Sequence, residues 1–172
     1  MTFRFFNRRT LVAAAALTTL GLSAQAQSDW PKQTVKLVVP FTAGSGTDII
    51  ARAVAEKLGP ALGQTVVIEN KPGAGGTIAA NQVAKAAPDG YTLLVHSSGH
   101  VVNPALYPNL PYDTLKDLSG VTALASLPNI LVVSPTKGYK DVKDLMAKVK
   151  AKPDGFNFAS AGNGSATHIN AE

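Results

Sequence analysis

Between a run of branched apolar residues and a helical pattern stands the stretch "VVPFTAGSGTDIIAR", residues 38–52, which carries the best-defined chemistry in the sequence. Gly44, Ser45, Gly46, Thr47 and Asp48 follow a strand and open a helix. That arrangement suits three kinds of chemistry: cradling a phosphate, exposing a serine nucleophile, or holding a carboxylate. A phosphate-binding P-loop needs Gly-x-x-x-x-Gly-Lys-Ser/Thr, and no lysine stands in 40–52. A dinucleotide fingerprint needs a third glycine, and Ile49 occupies that place. Asp48 also sets a negative charge in the first helical turn, against a polyphosphate. A hydrolase elbow needs Gly-x-Ser-x-Gly, whereas Ser45 is flanked at those positions by Ala43 and Thr47. The carboxylate fits best. Glycine lets backbone N–H groups approach closely, Ser45 and Thr47 add hydroxyls, and a helix start supplies unpaired amides. Asp48 then either caps the turn or accepts from a ligand hydroxyl or amine. The competing reading is that the glycines only make a tight strand-to-helix turn.

Other candidate groups are weaker. His96 and His100 are four apart, a metal spacing only on a helix, and His96 is expected at the end of a strand. His96 and His168 read as polar surface or loop residues, while His100 adjoins the donor loop Ser97-Ser98-Gly99. With no cysteine, thiolate metal sites, disulfides and cysteine nucleophiles are excluded. A third donor-rich loop runs from Ser160 to Thr167. No metal or cofactor is expected.

The elements that must position these loops are legible in the hydrophobic pattern. Residues 35–39 read as a buried strand ended by Pro40. Residues 48–62 read as a helix with a face of Ile50, Val54 and Leu58, widened by Ile49 and Ala53, and ended or kinked at Gly59-Pro60. Residues 65–69 form a second strand, 70–76 a glycine-rich loop, 77–87 a helix, and 91–96 a third strand. The order β-α-β-α-β with strongly apolar strands predicts a parallel sheet in an α/β fold. In strand order 2-1-3, the loops after strands 1 and 3 meet at a switch point, the usual ligand position. Residues 103–120, rich in proline, read as a connection. Strands are expected near Val121, at 130–134 and at 156–160, and a helix around Val142, Leu145, Met146 and Val149, with Asp141 as cap and Met146 in the core. A helix is starting at the C-terminus.

The first 26 residues are expected to be a cleavable signal: Arg4, Arg8 and Arg9, an apolar stretch 11–22, then Ala24-Gln25-Ala26. Arg8-Arg9 leaves a twin-arginine route open beside the general one. Without these three arginines the 16 basic residues become 13 against 11 acidic ones, net +2. The remaining lysines form no stripe, which argues against nucleic-acid binding.

Taken together, "WPKQTVKLVVPFTAGSGTDIIAR", "LGQTVVIENKPGAGGTIAANQVAKAAPDGYTLLV", "NPALYPNLPYDTLKDL", "PNILVVSP" and "FNFASAGNGSATHINAE" resemble the Bug (TctC-like) family of periplasmic receptors of tripartite tricarboxylate transporters. The resemblance covers the whole mature sequence. It implies a two-lobed periplasmic binding fold (type II-like), parallel or mixed sheets flanked by helices, closing on a small organic carboxylate. It implies a permease in the membrane as partner and a monomeric receptor. Residues 27–105 would belong to the first lobe and 106–172 to a connection and an incomplete second lobe. The implied pocket comprises Phe41, Thr42, Ala43, Gly44, Ser45, Gly46, Thr47 and Asp48 with Ser97, Ser98, Gly99 and His100. Opposite stand Ser160, Ala161, Gly162, Gly164, Ser165 and Thr167. Two departures from the family pattern are Gly44-Ser45 in place of paired glycines and His100 in place of a smaller residue. Family members are substantially longer, so the chain by itself is expected to fold poorly and bind weakly. The rivals are a secreted serine hydrolase using Ser45 or Ser165, and a non-functional receptor remnant.

Overall fold

The computed structural model describes residues 30–172, so the signal segment lies outside the described residues. Strand β1 (Val35–Val39) forms the centre of a three-stranded parallel sheet, in the order β2-β1-β3, with β2 (Val66–Asn70) and β3 (Thr92–Leu94) on its flanks. Leu37 lies opposite Ile68 on one side and Leu93 on the other. Beyond the paired strands, the Lys71 amide reaches the Val39 carbonyl at 2.8 Å and the Val95 amide the Val38 carbonyl at 2.9 Å. A central parallel strand is covered on both faces, which is why β1 is an unbroken apolar run rather than an alternating one. Val35, Leu37 and Val39 form the core with Ala51 and Val95, and Val38, pointing the other way, is equally buried.

Helix α1 (Gly46–Leu62) starts two residues earlier than the hydrophobic pattern suggests, because Ser45 caps it and glycine tolerates the first helical position. It also runs through Pro60 instead of ending there. The missing proline N–H would have paired only with the solvent-facing carbonyl of Glu56, in the last turn, where its loss is cheap. The stop comes at Gly63, left-handed at φ 63°, whose N–H reaches the Gly59 and Pro60 carbonyls. The buried face differs from the expected one as well: Ala51, Ala55 and Leu62 meet the sheet, while Ile49 is 60% exposed. Small alanines let the helix lie close to the strands.

Helix α2 (Thr77–Ala84) is three residues shorter than expected and packs against β1 and β3. Helix α3 (Gly99–Leu106) replaces what reads as an irregular connection; its Pro104 sits within the helix, and the turn ends at Tyr107. Helix α4 (Val142–Ala151) begins at Asp141, whose carboxylate accepts from the Asp144 amide at 2.7 Å, and the Asp144 carboxylate reaches back to the Lys140 amide at 3.2 Å. Helix α5 (Ala166–Ala171) follows the cap Ser165.

Three expected strands are absent. The segments near Val121, at 130–134 and at 156–160 carry no ladder among the described residues. Val132 is 81% exposed, and Met146, expected in a core, is 46% exposed. Branched residues favour extended backbone only as part of a packed, paired surface, and among the described residues no strand pairs with these segments.

Candidate functional site

Parallel strands deliver all their C-terminal ends to one edge of the sheet, so the loops after β1 and β2 meet there. The first loop is fixed by a buried carboxylate. Asp48, 1% exposed, accepts the Gly44 amide at 2.8 Å and Arg52 Nε at 2.9 Å on Oδ2, and Asn70 Nδ2 at 2.8 Å on Oδ1. Asn70 closes the network by donating to the Phe41 carbonyl at 3.0 Å and accepting from Arg52 Nη2 at 3.2 Å. The Arg52 guanidinium, followed by the Gly44 amide and Asn70, holds the Asp48 carboxyl far below the usual carboxylate range. Asp48 is therefore an internal anchor, with its acceptors engaged inside the protein. Gly44, at φ 83°, supplies the turn that brings its own amide back onto that carboxylate.

Ser45 does two things. Its Oγ accepts the Asp48 amide at 3.3 Å as helix cap, which leaves its O–H proton available outward. The cap leaves the Gly46 and Thr47 amides to be met from outside the helix. Phe41, Thr42 and Ser45 line a cleft of about 410 Å³. Its other walls are Pro40, the turn Pro72 to Gly76, Tyr107, and Ala161, Gly162 and Asn163. No Asp, Glu, Lys, Arg or His lines it. The neighbouring Lys71 ammonium lies 3.4 Å from Glu69.

The structure thus brings Phe41, Thr42, Ser45, Ala161 and Gly162 together at one cleft. Ala43, Gly44, Gly46, Thr47 and Asp48 are not among its lining residues. The Ser160–Thr167 loop is internally braced: Ser160 Oγ accepts the Gly162 amide at 3.2 Å, and Thr167 Oγ1 the Ala161 amide at 3.0 Å. Ser165, 2% exposed, uses its Oγ to cap α5 through the His168 amide and to meet Thr167 Oγ1 at 3.1 Å. Neither Ser45 nor Ser165 has a histidine ring hydrogen-bonded to its Oγ among the described residues.

Ser97, Ser98, Gly99 and His100 do not line the cleft. Ser98 is exposed, Gly99 is buried at the start of α3, and His100 is half-buried in the first turn of that helix. His96 corrects the surface-residue expectation. Its ring is packed edge-on to Phe41 at 5.6 Å and 5.0 Å from the His100 ring, with Nε2 buried and unpartnered against Gly76. His100 stacks in turn on Tyr112 at 6.3 Å. Burial, and then the neighbouring His100, pushes the His96 pKa down to about 4; burial also lowers that of His100. His168 is half-buried rather than exposed, with Nδ1 unpartnered.

Two contributors were not legible as site residues: the turn 72–76 and Tyr107. The glycine-rich composition of the turn was the available signal; Tyr107 gave none.

The family model described as "Tripartite tricarboxylate transporter family receptor" (TctC) matches residues 50–172. Protein BugT of Bordetella pertussis is 38% identical over 166 residues, covering 95% of this chain and 51% of its own length. Two solved structures from Rhodopseudomonas palustris share the fold: MatC with bound malate (TM-score 0.77, 40% identity) and a protein solved with adipate (TM-score 0.77, 36% identity). Each alignment covers 83% of this chain, with 49% of MatC and 48% of the adipate-bound protein. The chain spans about half the length of the curated relatives it matches. With its β2-β1-β3 parallel sheet and donor-lined cleft, the chain belongs to the TctC (Bug) family of periplasmic solute-binding receptors.

Proposed function

We propose that the chain captures a small organic carboxylate outside the cytoplasm and passes it to a membrane permease of the tripartite tricarboxylate type, with no bond made or broken. The observation that carries this is the composition of the cleft: hydroxyls of Thr42 and Ser45, the amide-rich turn Ala74 to Gly76, and no charged side chain. Such a wall satisfies a carboxylate through neutral donors and ordered water and releases it readily. The relatives solved with malate and with adipate support the ligand class. Export through the segment 1–26 would place the receptor in the periplasm. Residues 27–105 would form the first lobe and 106–172 the connection and part of a second, in a protein that acts as a monomer without a cofactor. The serine hydrolase reading loses ground because the hydroxyls of Ser45 and Ser165 serve as helix caps.

The test is calorimetry on the signal-free chain against a panel of mono-, di- and tricarboxylates. Binding of at least one acid, weakened by Ser45→Leu, is the expected result. Unchanged binding after Ser45→Leu and Thr42→Leu would remove the cleft from the reading.

A further inference from the structure

Helix α3 carries Gly99 and Asn103 at i and i+4, on one face, and Tyr107 is the extended residue that ends it. All three meet the same two loops. Gly99 lies so close to the Gly164 carbonyl that a Cβ there would overlap it. Asn103, 0% exposed, donates from Nδ2 to the Gly75 carbonyl at 3.1 Å. The Tyr107 hydroxyl donates to the Asn163 carbonyl at 3.1 Å. The loops also touch each other. A Cβ on Gly75 would stand 2.7 Å from the Asn163 carbonyl oxygen, and one on Gly164 3.4 Å from the Gly75 Cα. Backbone therefore rests on backbone at the end of the cleft where residues 72–76 and 161–163 face each other.

We propose that Tyr107 is a positioning residue for ligand capture: from α3 it fastens the 160–165 loop onto the Gly75 turn, and so fixes the separation of two cleft walls. Its ring forms part of the cleft surface while its hydroxyl ties down the wall opposite. Gly99 is the matching seat, since any side chain there would push the Gly164 backbone away. The proposal rests on the receptor reading above and deepens it by naming what holds the second donor loop in register.

Tyr107→Phe keeps the ring and deletes only the hydroxyl; Gly99→Ala adds one methyl at the seat. Two measurements are made on each variant and on the parent chain: amide hydrogen exchange, and calorimetry with malate and with adipate as probes. The loss of one neutral hydrogen bond corresponds to roughly a two- to tenfold change. Tyr107→Phe should speed exchange at Ala161–Ser165 by about that factor, leave β1 amides unchanged, and weaken by a similar factor whichever probe the parent binds. Gly99→Ala should do the same more strongly. Exchange at 161–165 that matches the parent in both variants overturns the proposal, whatever the calorimetry shows. If the parent binds neither probe, the ligand class is at fault and the exchange data alone decide the fastening role. If Gly99→Ala also deprotects β1, the hydroxyl deletion decides.

Discussion

Replacing His96 gives the most quantitative handle on the packing against Phe41, one of the cleft residues. In the folded chain this ring is neutral well below the usual histidine range, from 6.5 down to about 4, because burial and the adjacent His100 oppose its charge. In the unfolded chain it takes up a proton near 6.5. Between those values the unfolded state binds more protons, so stability rises with pH and is lost as pH falls. A displacement of this size amounts to about 3 kcal/mol once pH is below 4. By pH 5 about 2 kcal/mol of that loss has already appeared. Carboxylates do not obscure the window, since the depressed ones, Asp48, Glu69, Asp113 and Asp144, lose their contribution as pH falls below their ordinary values of 3.8 for aspartate and 4.5 for glutamate. The assay is urea denaturation of the parent chain and His96→Gln at pH 7.5, 6.5, 5.5 and 5.0. The parent should lose stability steadily down the series, and the variant should lose about 2 kcal/mol less by pH 5. His100 contributes in the same direction in both proteins. Parallel curves for parent and variant would refute the argument, and with it the placement of an uncharged ring behind Phe41.

Further outcomes follow from individual contacts. Asp48→Asn leaves Arg52 without its carboxylate and turns an amide toward the Gly44 N–H, so the melting temperature should fall by several degrees at neutral pH in a thermal scan. That difference should shrink only at strongly acidic pH, since the depressed carboxyl protonates late. Leu37→Ala, in the middle of β1, should cost about 2–5 kcal/mol by denaturant titration. Ser45→Ala removes the α1 cap and should cost about 0.5–2 kcal/mol, with a loss of carboxylate affinity in the same preparation. Gly76→Ala drives a methyl into His96 Nε2 and Pro40, so it should displace the turn 73–76 and deprotect its amides to exchange.

How much of this was legible in the sequence depends on whether a residue's neighbours are near in the chain. Strand β1, its parallel partners and the body of α1 follow from local pattern, because a buried parallel strand must be apolar throughout and a long helix carries its own periodicity. The cap at Asp141 is legible from local sequence too. Connectivity and chirality allow the order β2-β1-β3 without requiring it, and of the two loops expected at its switch point only the one after β1 lines the cleft. Tertiary contacts settled the rest. Asp48 turned inward because Asn70, 22 residues away, and Arg52 converge on it. His96 became a half-buried neutral ring because its Nε2 is enclosed against Gly76 and its ring packs on Phe41. Tyr107 joined the cleft because a proline-containing segment folded as a helix and aimed it at residue 163. The branched run 130–134 shows the converse. Its residue types favour a strand, but a strand exists only with a hydrogen-bonded neighbour, and that is a property of what lies beside the chain.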